Sequence, residues 1–520
     1  MKFIVVKRIV IISTLIISLF TLNYITEENL LSNLPTESDV LAGILQKQEQ
    51  EAKMLKDLDK AEQERFKNEQ ILLDELLKED EPTQENDYLE LFDNSVRHTF
   101  IFEFTSSEFD NLIQDMEEYN AIWGPFSDRG LDYRSNNYRR INITYIDSLG
   151  KVYSVKDVGI RTKGNIWANG RRLPIDDNGN VREAHYMLKF NETFDYLEGS
   201  DEYKYLKSRE VFDLEQLLFK WNNSSDPAYS NEVYSMKLFE DNGVVAPKAS
   251  MAEVQISIDG KIELKSLYNI FEHVDEEFIR RYFENTPTKD VGDLYKIVPQ
   301  ADLTPIFDTS IIGVRDWESG YRPSYGKETN KDVYDYSSLV DFTNFISYPD
   351  LDQRKQYFDD FFDTERFINS MALNVLLGNP DDYRGNLNNY YVYIGLDGSS
   401  YYIPYDYDNS IGIGWPGMGG LQNFTLGYDI YDWGEVWDQH AERPLTDHIL
   451  EYDEFRLRYE YYLEYYMDSG IFSYEKYQEF VEQVDTLYGD SFDIFEERQW
   501  YFNQKINEVK DQLDYYKNLR

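Results

Sequence analysis

Acidic and amide side chains stand on both sides of a predicted β-hairpin in the second half of the chain. Asp381 and Asp382 open a loop that also holds several asparagines, and Asp406 and Asp408 follow the second strand of the hairpin. The asparagines of the loop are Asn386, Asn388 and Asn389. Phosphoryl transfer from a magnesium nucleotide needs one carboxylate to orient the attacking hydroxyl, and an amide oxygen with a second carboxylate to hold the metal. The residue types of segment 378–414 therefore predict phosphoryl transfer.

The hairpin supplies the geometry that such a site requires. Residues 390–403 contain two alternating strands separated by Asp397-Gly398, which is a type I′ turn signal. Pairing of these strands brings the asparagine-rich loop and Asp406 to the same end. On a strand, Asp406 and Asp408 would face one side, where two carboxylates repel each other unless a cation or a proton lies between them. Taken alone, the loop is also compatible with an ordinary turn that has no function.

The composition excludes several other classes of protein. The 520-residue chain carries 52 basic and 97 acidic residues, a net charge of −45. A nucleic-acid partner is not expected, because neutralising phosphates requires clustered Lys and Arg. The absence of cysteine from the sequence excludes disulfides, thiol nucleophiles and cysteine zinc sites, and five histidines leave little room for a histidine metal site.

The N-terminus predicts export. Residues 1–8 carry basic side chains and residues 9–22 are an unbroken apolar run, which is the order of an export signal. We therefore expect 1–26 to be a signal peptide or a membrane anchor, with the remaining chain outside the cytoplasm. Residues 27–94 are charged and favour helix up to a linker that contains Pro82, which predicts a spacer between membrane and body.

The body, residues 95–520, is predicted to be an α+β domain. Its first part is rich in strands, and a hairpin is expected over 252–271. The other strands predicted in this part cover 100–104, 141–146, 152–161 and 185–190. Beyond residue 350 the pattern is helical apart from the hairpin at 390–405. A strand-rich first half followed by a helical second half is the plan of protein-kinase-like folds.

Short motifs follow one another along this body. They are Arg161-Thr162-Lys163-Gly164-Asn165, Ser266–Asp275, Leu294-Tyr295-Lys296, Gly378-Asn379-Pro380-Asp381, Asn389–Tyr393 and Ile403–Asp408. In these motifs the chain resembles the spore coat protein H (CotH-type) kinases, a family of secreted or cell-surface atypical protein kinases, over residues 95–520. Two positions depart from the family pattern, since Tyr405 stands where Trp is usual and Ser266 where Gly is usual.

The resemblance implies a two-lobed kinase-like fold, with a β-rich N-terminal lobe over 95–275 and a mostly helical C-terminal lobe over 276–520. It implies ATP as the nucleotide and Mg²⁺ (or Mn²⁺) as the metal, with Asp381 orienting the substrate hydroxyl. The metal ligands that it implies are Asp406, Asn389, Asn388 and Asp408. The nucleotide-binding residues that it implies are Lys189, Arg161, Lys163, Glu272 and Val274. In this resemblance, Lys189, Arg161 and Lys163 would neutralise the phosphates. Glu272 and Val274 lie where a kinase hinge offers backbone groups to adenine.

These observations predict a protein kinase that phosphorylates Ser or Thr of an extracytoplasmic or spore-coat-type protein at a bacterial cell or spore surface. The acidic body favours a basic, Ser/Thr-rich substrate. Two alternatives stay open. One is an inactive pseudokinase with a structural or assembly role, because Lys189 is the only lysine on the predicted strand 185–190. The other is a carbohydrate-active surface protein, since paired carboxylates also serve glycoside hydrolysis.

Overall fold

The computed structural model describes most of the body. The described residues are 85–123, 135–164, 173–221, 229–283, 290–298, 301–414, 425–433, 442–494 and 497–520, with Lys53, Lys56 and Lys60 before them. Residues 1–78 and 79–520 form separate compact units, and the fold described below belongs to the second. The predicted export segment at 1–26 and most of the predicted spacer lie outside the described residues. Within the described parts, no helix combines the length and the apolar character needed to cross a membrane.

The helices of this unit lie before, between and after its strands. They are α1 (Glu85–Leu91), α2 (Ser106–Trp123), α3 (Asp201–Lys207), α4 (Asn231–Asp241), α5 (Glu276–Tyr282), α6 (Ser337–Ile346), α7 (Leu351–Asp360), α8 (Thr364–Leu377), α9 (Tyr383–Asn386), α10 (Pro444–Leu450), α11 (Asp453–Asp468), α12 (Tyr474–Tyr488) and α13 (Gln499–Leu519). Several begin at side-chain caps. Asp275 caps α5, Asp350 caps α7 and Ser473 caps α12, each accepting a backbone N–H of the first turn.

The first seven strands close into a barrel in the order β1-β2-β3-β4-β5-β7-β6. They are β1 (Thr99–Phe104), β2 (Arg139–Ile146), β3 (Val152–Thr162), β4 (Tyr186–Lys189), β5 (Gln216–Lys220), β6 (Ala249–Ile258) and β7 (Lys261–Glu272). Neighbours are antiparallel except β1 and β6, whose parallel pairing closes the barrel. Alternate residues of β1 face inward, and the rings of Phe100 and Phe102 each lie 5.1 Å from the ring of Phe219. Burial of these rings stabilises the barrel.

A second sheet of five strands has the order β12-β11-β8-β10-β9. Its strands are β8 (Asp293–Ile297), β9 (Ile312–Gly313), β10 (Tyr325–Lys327), β11 (Tyr390–Ile394) and β12 (Ser400–Pro404). The predicted hairpin is confirmed as β11–β12, with Tyr390 opposite Pro404. It does not stand alone, because β11 also pairs with β8. Beyond residue 350 the predicted pattern is confirmed, because β11 and β12 are the only strands among the described residues of that part. Strands β9 and β10 precede it and were not predicted, because they are too short to show a period of two.

The mixed α+β class is confirmed by this arrangement. Each strand predicted before residue 272 appears in the barrel with shifted ends, while β5 was not predicted. Two buried clusters of apolar side chains hold the unit together. The smaller fills the barrel, and the larger is shared by the second sheet and the helices.

The segment before β1 packs on the end of β7. Tyr88 on α1 is 3% exposed, and its hydroxyl donates to Glu272 Oε1 at 3.0 Å. Arg281 on α5 also binds the Glu272 carboxylate, and its guanidinium lies 4.2 Å from the centroid of the Tyr88 ring. Burial raises the pKa of Glu272, and the charge of Arg281 opposes this. Glu272, the last residue of β7, is thus held by a hydrogen bond from Tyr88 and by an ion pair with Arg281.

Replacing Arg281 by Met is expected to lower the free energy of unfolding by about 3–5 kcal/mol, because it leaves the Glu272 carboxylate buried without its cation. Chemical denaturation of the full chain measures this change. Lys261→Met is the control on β7, the strand that carries Glu272, since Lys261 pairs with Glu263 at 2.9 Å with a 75% exposed side chain, and such surface pairs contribute about 0–1 kcal/mol. Equal losses in the two variants would contradict the proposed importance of the buried pair.

Candidate active site

The loop after α8 begins with a turn that only glycine can make. Gly378 ends the helix with a φ of 69°, the left-handed conformation of a C-terminal cap. A Cβ at this position would lie 2.1 Å from the hydroxyl oxygen of Tyr501, so a larger residue would clash. The turn directs residues 379–389 away from α8 and toward β11.

Three amides of this loop surround Asp381. Its Oδ1 accepts hydrogen bonds from Asn386 Nδ2 at 2.6 Å and from Asn388 Nδ2 at 3.4 Å. Its Oδ2 accepts one from Asn389 Nδ2 at 3.0 Å. Neutral donors fix the carboxylate without neutralising its charge. The Asn389 amide nitrogen faces Asp381, and its Oδ1 accepts no hydrogen bond from the described residues.

Asp382, the neighbouring carboxylate, supports the loop from inside. It is 2% exposed, and its Oδ1 accepts the Gly385 N–H at 2.7 Å. Its Oδ2 accepts a hydrogen bond from Asn374 on α8. Arg384 is buried beside it and donates to the main-chain oxygens of residues 430 and 431, at 3.0 Å each. These contacts connect Asp382 to the loop and to α8.

The hairpin brings Asn389 next to the second carboxylate group. The Tyr405 N–H donates to the Asn389 main-chain oxygen at 3.2 Å, directly after the Tyr390–Pro404 pair. Asn389 and Asp406 have φ values of 55° and 64°, conformations that cost a non-glycine residue about 1–3 kcal/mol. Such strain is common at functional sites. The site therefore lies at the open end of the hairpin, where β11 begins and β12 ends.

A buried lysine joins the barrel to this group. Lys220, the last residue of β5, places its Nζ 2.6 Å from Glu232 Oε1 on α4 and 2.5 Å from Asp406 Oδ1. Asp408 Oδ2 lies 3.6 Å from the same nitrogen. The side chains of Lys220 and Glu232 are 8% and 2% exposed, so the pair is shielded from water. Lys220 thus links a strand, a helix and the hairpin through three carboxylates.

Burial and neighbouring charges shift the pKa values of the three carboxyl groups of the site in different directions. Burial alone would raise the pKa of Asp406, but the charge and hydrogen bond of Lys220 hold it below its ordinary value. Burial raises the pKa of Asp381, and the charge of Asp406 adds to this effect. Burial also raises the pKa of Asp408 well above its ordinary value, and the charges of Asp406 and Glu232 reinforce it. Asp406 is therefore the carboxylate most firmly held in its ionised form.

The other predicted cations lie on the barrel strands or just after them. Lys189 on β4 pairs with Glu192 at 2.9 Å, and no described contact joins it to Asp381 or Asp406. Arg161 on β3 stacks over the rings of Tyr138 and Trp317 at 5.2 and 5.7 Å. Lys163 follows β3 with its Nζ buried.

The predicted hinge residues lie at the end of β7. The Glu272 carboxylate is turned toward Tyr88 and Arg281, and its backbone N–H donates to the Lys248 oxygen at 3.0 Å. Val274 is buried in the apolar core between β7 and α5. Among the described residues, neither side chain contacts Lys220 or the carboxylates around it. A role of Glu272 and Val274 in nucleotide binding therefore stays a prediction about their backbone groups.

Lys220 and Glu232 were not predicted from the sequence. The cations predicted to bind the phosphates lie on β4, which neighbours β5 in the barrel, and on or just after β3. The available signal was the run Gln216–Lys220, in which apolar residues precede a lysine, followed by a helix that contains a glutamate. A strand lysine paired with a helix glutamate belongs to the signature of protein kinases.

The donor set of the site suits a hard cation. Asp406, Asp408 and the Asn389 Oδ1 offer oxygen atoms, which Mg²⁺ prefers, and Mg²⁺ is commonly held by only one or two carboxylates together with substrate phosphates. Among the described residues, no cluster of three or more His, Cys, Asp or Glu forms a complete metal site. The oxygen donors of Asp406, Asp408 and Asn389 fit a metal that takes its remaining ligands from substrate phosphates.

Comparison with known families agrees with this site. The family model described as CotH kinase protein matches residues 178–519, more than half of the chain. The match includes Lys220, Glu232, Asp381 and Asp406, whereas Arg161 and Lys163 precede it. A search of curated proteins finds no match. The chain belongs to the CotH kinase family.

Proposed function

We propose that this protein is an ATP- and Mg²⁺-dependent protein kinase that phosphorylates Ser or Thr. The observation that carries the proposal is the Lys220 amine, which bonds Glu232 and Asp406 in the same site as the amide-held Asp381. Protein kinases use a strand lysine paired with a helix glutamate at the phosphates, a carboxylate at the metal and a loop carboxylate at the substrate hydroxyl. Each of these four groups is present.

The roles follow from the surroundings of each group. Lys220 would neutralise the phosphates of ATP, and Glu232 holds its amine in place. Asp381 would accept or orient the proton of the attacking hydroxyl, with its orientation set by the three asparagine amides. Asp406 and Asn389, with Asp408 beside them, would hold Mg²⁺, which would supply positive charge to neutralise the phosphates.

The two-lobed kinase plan is the finer interpretation of the fold. The barrel strands β5, β6 and β7 with α4 would form the N-terminal lobe, because they carry Lys220 and Glu232. The second sheet with α6 to α13 would form the C-terminal lobe, because it carries Asp381 and Asp406. This interpretation is supported by the position of Lys220 at the junction between the barrel and the hairpin.

The substrate is proposed to be a basic, Ser/Thr-rich protein outside the cytoplasm, at a cell or spore surface. The proposal is supported by the net charge of −45 and by the export signal predicted at 1–26. Family membership favours a coat-type substrate. An acidic peptide that is phosphorylated as fast as a basic one would contradict the charge argument.

Transfer of labelled γ-phosphate from ATP tests the function. The full chain is incubated with Mg²⁺ and a mixture of basic proteins, and phosphoserine and phosphothreonine are then identified in the products. We expect label on the protein that depends on both the metal and the enzyme. ATP binding without transfer would favour the pseudokinase, and absence of both would favour a non-kinase function such as carbohydrate binding.

A further inference from the structure

Helix α4, which carries Glu232, begins without a side-chain cap of its own. The hydroxyl of Ser230, the residue before the helix, accepts no backbone N–H of the first turn. Its Oγ lies instead 3.1 Å from the hydroxyl of Tyr477 on α12. The Tyr477 hydroxyl donates to Asn231 Oδ1 at 2.5 Å. A side chain from a distant part of the sequence therefore binds the two residues that directly precede Glu232.

Aromatic packing joins the same two helices. The ring of Tyr234 on α4 lies 5.2 Å from that of Tyr477 and 5.7 Å from that of Phe480. Helix α12 is in turn bound to the barrel, because the Tyr488 hydroxyl donates to the main-chain oxygen of Met251 on β6 at 2.7 Å. All five residues are buried. Helix α4 therefore packs on a helix that has its own attachment to the barrel.

A second contact joins α4 to the segment that follows β12. The hydroxyls of Ser235 and Ser410 lie 2.9 Å apart, and both residues are fully buried. Ser410 also donates to the main-chain oxygen of Tyr407 at 2.7 Å. The ring of Phe239 packs edge-on against that of Tyr407, with centroids 4.8 Å apart. Tyr407 directly follows Asp406, so α4 is bound to the segment that presents the predicted metal ligand.

These contacts bear on the ion pair of the site. Glu232 lies in the first turn of α4 and binds Lys220 Nζ at 2.6 Å. A displacement of α4 by about 1 Å would break this pair, because hydrogen bonds between donors and acceptors more than about 3.2 Å apart are weak. Buried hydroxyls oppose such a displacement, since no water replaces a hydrogen bond that is broken away from solvent. In protein kinases the position of the helix that carries the glutamate controls whether the lysine–glutamate pair is in place.

We propose that Tyr477 and Ser410 are positioning residues, whose hydroxyls hold α4 in the place where Glu232 binds the Lys220 amine. Both act through α4 rather than on a substrate, since each binds a residue of this helix. Their effect on phosphoryl transfer rests on the proposed function, whereas their effect on the position of α4 does not.

Acetylation of lysines by a small amine-reactive reagent, quantified residue by residue by mass spectrometry on the full chain, tests the positioning without catalysis. The Lys220 side chain is 8% exposed, so it should react slowly in the wild-type protein. Tyr477→Phe and Ser410→Ala each remove one hydroxyl. Each should increase the acetylation rate of Lys220 about fivefold, as for the loss of one hydrogen bond that opposes local opening.

Two controls separate a displaced helix from a destabilised protein. Lys327 on β10 is buried, with its amine donating to main-chain oxygens of residues 333 and 335 at 3.0 Å each, and it should keep its wild-type rate. Tyr474→Phe removes a hydroxyl of α12 that bonds Gln478 on the same helix, so it should leave the Lys220 rate unchanged. Equal acceleration of Lys220 and Lys327 would overturn the proposal. An unchanged Lys220 rate in either positioning variant would overturn the role of that residue.

Kinetics of the double variant Tyr477→Phe/Ser410→Ala connect the position of α4 to function. We expect kcat to fall at least about tenfold, because a misplacement of about 1 Å can cost about a hundredfold in rate. KM for the protein substrate should not change, since both residues act through α4. Selective acetylation of Lys220 with an unchanged kcat would overturn the effect on transfer. Selective acetylation in a protein whose wild type transfers no phosphate would support the positioning of α4 and count against the kinase function alone.

Discussion

Asp381→Asn and Asp406→Asn are each expected to reduce phosphoryl transfer about a thousandfold or more, because each removes a charge that acts on the reacting groups. Their effects on nucleotide binding should differ. Asp381 is held by asparagine amides and would contact only the substrate hydroxyl, so Asp381→Asn should keep the affinity for Mg-ATP. Asp406 lies at the predicted metal position, so Asp406→Asn should weaken Mg-ATP binding as well. Transfer rates and equilibrium binding, measured on the same preparations, check both parts.

A surface aspartate provides the control for these variants. Asp468 at the end of α11 pairs with Lys510 at 3.0 Å, and its side chain is 68% exposed. Asp468→Asn should transfer phosphate at the wild-type rate. If Asp381→Asn lost nucleotide affinity and Asp406→Asn did not, the two roles would have to be exchanged. If either variant kept wild-type transfer, that aspartate would have no catalytic part.

The hairpin and its carboxylates were predictable because they depend on local sequence. The alternation on either side of the turn sets the register of β11 and β12, with Tyr390 opposite Pro404. The predicted type I′ turn at Asp397-Gly398 is wrong, because Gly398 has a positive φ and Asp397 does not. Given that register, the proximity of Asn389 and Asp406 follows without knowledge of the rest of the fold.

The lysine of the site was not predictable in the same way. All residues of β5 after Gln216 are buried, so the strand lacks the alternation that reveals a half-buried strand. Its partners β4 and β7 lie far apart in the sequence, and Lys220 meets Asp406 across 186 residues. Strands β9 and β10 were missed for a related reason, since β9 has only two residues and is defined by its pairing with β10.

Replacing Lys220 by Met should have two large effects at once. Phosphoryl transfer should fall at least about a hundredfold, because the phosphates lose their principal cation. The free energy of unfolding should fall by about 3–5 kcal/mol, because Glu232 stays buried beside Asp406 without the amine that balances them. Chemical denaturation and transfer rates measure the two effects separately. Lys237→Met, on α4 but in an exposed pair with Asp241 at 2.9 Å, should change neither.

Glu232→Gln separates the stability effect from the catalytic one. Lys220 should keep its ion pair with Asp406, which measures 2.5 Å in the wild-type protein, so the stability of this variant should remain close to wild type. The transfer rate should still fall, because the neutral side chain at position 232 no longer attracts the Lys220 amine away from Asp406. Mg²⁺ should raise the unfolding midpoint of Lys220→Met more than that of wild type, since the cation can take the position that the amine leaves. A Lys220→Met protein as stable as wild type, and indifferent to Mg²⁺, would show that the three carboxylates do not depend on this lysine.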